Sequence, residues 1–134
     1  MTDSKIPPLR LRARLYCGDE IAIGPGKADL LDAIVSMGSI SAAGRALEMN
    51  FPRTWPLVDT MNGCWQEPVV TTPSGGSHGG GAALTPLGKT VLAQYRQLQQ
   101  AIDKAARAPA LQLAQSLATE PRPFARKPPE SAGG

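Results

Sequence analysis

Cys17, Cys64 and the single histidine, His78, are the side chains best suited to act as nucleophile, base or metal ligand. Their spacing supports none of these roles. The two cysteines share no metal-ligand spacing, and a Cys–His couple without a third orienting group makes no catalytic arrangement. Gly88-Lys89-Thr90 looks like the end of a phosphate-binding loop, but the first glycine of that pattern falls on Ala83, and Pro86 interrupts the loop. Neither an enzyme nor a bound cofactor is expected from these residues.

The chemistry that remains is recognition of a polyanion. Arg53 is the only cation in the stretch 51–64, and a guanidinium near a helix N-terminus can reach base edges or phosphates. Around it stand Asn50, Pro52 and Trp55, with Ser39, Ser41 and Arg45 upstream. Ser39, Ser41 and Asn50 can cap helices or donate to phosphates, and capping is the simpler role. Trp55 has two fates: contact with a base or sugar, or partial burial against the base of a neighbouring hairpin. Arg45 either reaches a nucleic-acid backbone or is an ordinary exposed helix arginine. The run 75–81, with Gly76, Ser77, His78 and Gly79 at its centre, can approach a sugar-phosphate chain closely because few side chains stand in the way. His78 is mostly uncharged at neutral pH, which weakens that tip.

The elements that must position these residues follow from periodicity. Leu9, Leu11, Ala13 and Leu15 alternate with Arg10, Arg12 and Arg14, which predicts a strand with one apolar face. Gly18-Asp19 turns it into a return strand at 21–23, an N-terminal hairpin. After Gly24-Pro25-Gly26, the residues Leu30, Leu31, Ile34, Val35 and Met37 predict a helix at about 26–37, stopped by Gly38. Ser41 caps a short helix over 42–47, whose small residues 42–44 permit close approach to a neighbour. A tight connection at 48–50 leads to a third helix over about 51–64, with Thr54, Val58, Met61 and Trp65 inward and a bend expected at Pro56. Val69–Thr72 and Ala82–Thr85 form a second hairpin. A long helix from Pro86 to about Arg107 carries Leu87, Val91, Tyr95, Leu98 and Ile102 on one face, a stripe expected to dimerise. The fold class is α+β, mainly α with small β: a winged helix-turn-helix with an N-terminal β-hairpin and a long C-terminal dimerisation helix.

Composition bounds the reading. The chain has 134 residues, 42% of them hydrophobic, with a net charge of +3. That permits one domain, 1–108, and a polyanionic partner. Residues 109–134 are proline-rich and expected to be disordered. Two cysteines and no apolar run of membrane length imply a reducing, cytoplasmic location without membrane contact.

Gly24-Pro25-Gly26-Lys27, Leu30–Ile34, Gly38–Ala43, Met49–Trp55, Leu57–Asn62, Glu67–Val70, the glycine-rich run 75–81 and Leu84–Gly88 together resemble the N-terminal region of the ModE-like molybdate-responsive regulators, over about residues 10–100. A more distant likeness to LysR-type DNA-binding domains covers about 38–70. The resemblance implies a homodimeric transcriptional regulator, a repressor by expectation, gripping a pseudo-palindromic operator in double-stranded DNA. The family adds molybdate-binding modules after this region. Too few residues follow 108 for one, so molybdate binding is not expected. The alternative is a protein-interaction or dimerisation module, antirepressor-like, that has lost DNA binding.

Overall fold

The computed structural model describes residues 9–49, 51–72 and 81–124, and the side chains of all of these except 51–53. The chain falls into two units, Arg10–Lys104 and a second formed by Met1–Leu9 with Ala105–Gly134. Its elements are β1 (Leu15–Cys17), β2 (Glu20–Ile23), α1 (Pro25–Met37), α2 (Ile40–Ala46), α3 (Phe51–Cys64), β3 (Val70–Thr71), β4 (Ala83–Leu84) and α4 (Pro86–Ala114). The fold is α+β, with β1–β2 and β3–β4 as separate antiparallel pairs.

The first strand is much shorter than the alternation predicts. Only Leu15–Cys17 pairs with β2, with a register irregularity between Leu15 and Tyr16. Residues 9–14 lack a strand partner, and α4 satisfies part of their backbone instead. The Tyr95 hydroxyl donates to the Ala13 carbonyl at 2.9 Å. Ala13 N–H donates to Gln99 Oε1 at 3.1 Å, and Gln99 Nε2 donates to the Leu11 carbonyl at 2.5 Å. Burial pushes the Tyr95 phenol above its usual pKa, so it stays a proton donor at neutral pH.

Helix α1 obeys its local signals. Pro25 stands in the first turn, where a missing N–H is harmless. Gly38 ends the helix in a left-handed conformation, φ 78°, that disfavours a side chain. Its N–H closes on Ile34 and its carbonyl accepts from Ala82, which ties the helix end to the segment entering β4. Leu30, Leu31 and Ile34 are fully buried, whereas Val35 and Met37 fall outside the buried stripe. Val58 and Met61 of α3, Val69, Val70, Leu84, and Val91 and Tyr95 of α4 close the core around α1.

Helix α4 extends past the expected end near Arg107 and includes Pro109. An internal proline removes one hydrogen bond, but Ala105, Ala106, Ala108 and Ala110 surround it with the strongest helix former. Taken alone, residues 105–124 comprise the last turns of α4 and a segment without helix or strand from 118 to 124. Leu111, Leu113 and Leu117 are exposed there. Among the described residues, no helix is long and apolar enough to cross a membrane.

Candidate nucleic-acid interface

The centre of the site is the contact between α2 and α3. Ser39, not Ser41, caps α2: its Oγ accepts from the Ala42 N–H at 3.0 Å. The helix starts early because Ile40 is buried in the core at 2% exposure, which draws the first turn inward and leaves Ser41 inside it, half-buried. At the other end, Met49 N–H returns to the Gly44 carbonyl at 2.8 Å, while Glu48 takes a left-handed φ of 62°. This is the usual helix-ending turn with a glutamate where glycine is commonest. It reverses the chain within three residues.

That reversal seats α3 on α2. A Cβ added at Gly44 would lie 2.4 Å from Thr54 Oγ1, so the two helices meet at nearly backbone distance. Thr54 is 1% exposed, and its hydroxyl donates to Met49 Sδ at 4.0 Å. Thr54, Val58 and Met61 face the core, as the spacing predicts, while Pro56, Asp59 and Gly63 are exposed. The outer face of α3 is therefore free of core duties. Arg53 lies in the first turn of this helix.

Asn62 was not legible as a positioning residue. Its Oδ1 accepts from the N–H groups of Val69 and Val70, at 2.8 and 3.0 Å, and its Nδ2 donates to the Val70 carbonyl at 3.1 Å. One side chain thus clamps β3, at the base of the second hairpin, to α3. The available signal was an asparagine inside a helix, a poor former that tends to be kept for its hydrogen bonds. Asn62→Ala leaves two strand N–H groups short of an acceptor, at about 1–3 kcal/mol each when buried. Because this site is only partly buried, a total loss of about 2 kcal/mol is expected in urea unfolding. An unchanged midpoint would show that the clamp is dispensable.

The sequence-predicted residues are only partly brought together. Ser39, Ser41 and Arg45 lie on or beside α2, with Arg45 exposed. Trp55 is half-buried and packs against the core, and its indole N–H is buried without a hydrogen-bond acceptor among the described residues. Asn50, Gly76, Ser77, His78 and Gly79 lie outside the described residues, as do the side chains of Pro52 and Arg53. Asp59, exposed on the outer face of α3, was not singled out from sequence. A carboxylate there repels phosphates but can accept from the amino group of cytosine.

The expected dimer stripe divides. Val91 and Tyr95 are both 5% exposed, inside the chain's own core, and Leu87 packs against it. Leu98 is 44% exposed, and Ile102 is half-buried. Val91 and Tyr95 turn inward, and the Tyr95 hydroxyl is tied there to the Ala13 carbonyl. Leu15 and Leu98 instead line a cavity of about 160 Å³ together with Ile23, Trp65 and Tyr95. Arg96, on the same helix, is held by Asp32 and Asp29. The hydrogen bond to Asp32, more than any other influence, raises its pKa. Among the described residues, no group of three or more His, Cys, Asp or Glu is placed to hold a metal ion.

Helices α2 and α3, joined through the left-handed turn at Glu48, followed by an antiparallel strand pair and a long helix, make an α+β chain. The molybdenum transport protein ModE of Azotobacter vinelandii is 35% identical over 101 residues, 71% of this chain and 37% of the relative. The molybdenum-pterin-binding protein MopB of Rhodobacter capsulatus is 40% identical over 82 residues, 61% of this chain and 30% of the relative. The DNA-binding transcriptional dual regulator ModE of Escherichia coli K12 is 30% identical over 97 residues, 72% of this chain and 35% of the relative. No protein-family model matches the chain. The chain spans about a third of the length of these relatives. Over the aligned residues it is ModE-like.

Proposed function

We propose that this chain is a DNA-binding transcriptional regulator that reads a pseudo-palindromic operator as a homodimer, with α3 in the major groove. The observation that carries the reading is the close seat of α3 on α2. Gly44 against Thr54 turns the inner face of α3 to the core and leaves its outer face free, with Arg53 in the first turn. A major groove of duplex DNA admits one such helix. The glycine-rich run between β3 and β4 would then lie along the sugar-phosphate backbone as a wing. Names of two relatives support the class: the Escherichia coli protein is a DNA-binding transcriptional dual regulator, and a Haemophilus influenzae protein is a transcriptional regulator. On this reading the protein acts in the cytoplasm, as a repressor where its operator overlaps a promoter.

The dimer face is built from the apolar residues that the fold leaves outside. Leu11, Leu15 and Leu98 are 38%, 51% and 44% exposed. They belong to one compact unit, and apolar surface of this kind marks an interaction site when it is contiguous. Leu98→Glu is expected to shift sedimentation from dimer to monomer at micromolar concentration. A dimer that survives the charge would move the interface elsewhere.

Arg53→Ala tests the DNA reading directly, on operator fragments recovered by sequencing DNA that co-purifies with the protein. A bidentate arginine–guanine contact supplies about 1–3 kcal/mol, so specific affinity should fall roughly ten- to a hundredfold. Non-specific affinity should change much less. If Arg53 touches only phosphate, both affinities fall together and the salt slope shrinks by about one. Affinity and slope that both stay unchanged would remove α3 as the reading helix. Absence of salt-dependent retention on DNA would favour a protein-interaction module instead.

A further inference from the structure

We propose that Cys17 and Cys64 are a peroxide-oxidisable pair that closes to an intramolecular disulfide, joining β1 to the C-terminal end of α3. The inference does not depend on DNA binding. Cys17 ends β1 opposite Glu20, and Cys64 is the last residue of α3. These two ends are held side by side by neighbours on either hand. The Trp65 indole N–H, one residue beyond Cys64, donates to the Ala22 carbonyl of β2 at 3.3 Å. Trp65 also lines one cavity with Leu15, two residues before Cys17 on the same short strand. Both thiols are free, Cys17 exposed and Cys64 half-buried.

Their environments suit different halves of the reaction. Burial pushes the Cys64 thiol up, and the neighbouring Cys17, by charge and by hydrogen bond, pushes it further. Glu20 adds to that rise and Lys27 opposes it. Cys64 therefore stays protonated at neutral pH, and Cys17 is the sulfur that a hydroperoxide meets from solvent. Cys17 loses its proton to water and its thiolate attacks one peroxide oxygen. The O–O bond breaks, the hydroxide that leaves takes up a proton, and Cys17 becomes a sulfenic acid. The Cys64 sulfur then attacks Cys17 Sγ and the S–O bond breaks. The departing hydroxide leaves as water with the Cys64 proton. Two thiols give up two electrons, and one hydrogen peroxide becomes two waters.

The test treats the full chain with hydrogen peroxide in small excess and follows intact mass, thiol titration, peptide mapping and melting. The expected result is loss of two hydrogens, no titratable thiol, and a single linked peptide pair carrying Cys17 and Cys64. A cross-link closing a loop of this length should raise Tm by more than about 5 °C, because it removes freedom from the unfolded chain. Dithiothreitol should reverse both changes. Cys64→Ser should leave Cys17 to gain oxygen or to cross-link two chains. Cys17→Ser, at an exposed position, should melt like the reduced protein and resist oxidation at Cys64. Three outcomes each overturn the proposal: oxygen added to Cys17 without cross-linking in the unaltered protein, a cross-link only between chains, or an internal cross-link that lowers Tm.

Discussion

Gly88→Ala is expected to lower the melting temperature by about 6–12 °C. A Cβ at Gly88 would lie 2.1 Å from the Val69 carbonyl oxygen, 3.0 Å from its carbon and 3.2 Å from its Cα. All three are backbone atoms, so no rotamer change relieves the contact. Val69 is also pinned from three sides. Its carbonyl accepts from Thr85 N–H at 3.0 Å, its own N–H donates to Asn62, and its side chain is fully buried. The glycine itself is fixed, since its N–H donates to Thr85 Oγ1 at 2.9 Å in the N-cap of α4. The same hydroxyl donates to the Pro68 carbonyl at 2.8 Å. Opposing the clash, alanine is a better helix former than glycine by about 1 kcal/mol. Overpacking in a site that cannot yield costs about 1–3 kcal/mol and sometimes more, and here the upper end applies, so destabilisation wins. Thermal melting by circular dichroism checks it. A variant that melts within about 2 °C of the parent would mean that β3 and α4 do not meet in this way.

Gly44→Ala should have a smaller effect on stability and a larger one on function. The added methyl would meet Thr54 Oγ1 at 2.4 Å, Cγ2 at 3.1 Å and Cβ at 3.2 Å. The obstacle is a side chain, but rotating it exchanges one γ atom for the other and leaves the Cβ contact in place. Thr54 is also buried, so α2 and α3 must separate by a fraction of an ångström. A net loss of about 1–2 kcal/mol is expected after the helix-propensity gain of alanine. Operator affinity should fall by more than that loss explains, because the displaced helix is the one that reads DNA in the proposed function. Thr54→Ala in the same chain should restore much of the stability, a coupling that a double-mutant cycle measures directly. Additive losses would place Gly44 and Thr54 apart.

The helical frame of the candidate site was legible in the sequence. Helix α3 has the expected bounds, and Thr54, Val58 and Met61 are on its inner face. The small residues 42–44 announced a close approach, and Gly44 makes it. These features depend on spacing within one helix or on the absence of a side chain. Ser39 as the cap of α2 was less legible, because Ser39 and Ser41 are both good caps and only the burial of Ile40 chooses between them.

The sequence by itself determined the local stops and stripes: Gly24-Pro25-Gly26 before α1, the left-handed Gly38 after it, the turn at 48–49, and the order of helices and hairpins. Each depends on the conformational freedom of a few adjacent residues, which needs no partner. Tertiary structure alone decided which apolar faces are used, and by whom. Leu11 and Leu15 alternate as a buried strand should, yet both are exposed, Leu11 with no strand partner and Leu15 despite its pairing with Ile23. Val91, Tyr95 and Leu98 belong to one stripe, yet the core takes the first two and leaves the third. Asn62 became a clamp only because β3 came within reach of its amide. Burial is settled by competition among distant surfaces for the same partners, and periodicity records that a face is apolar without recording what will cover it.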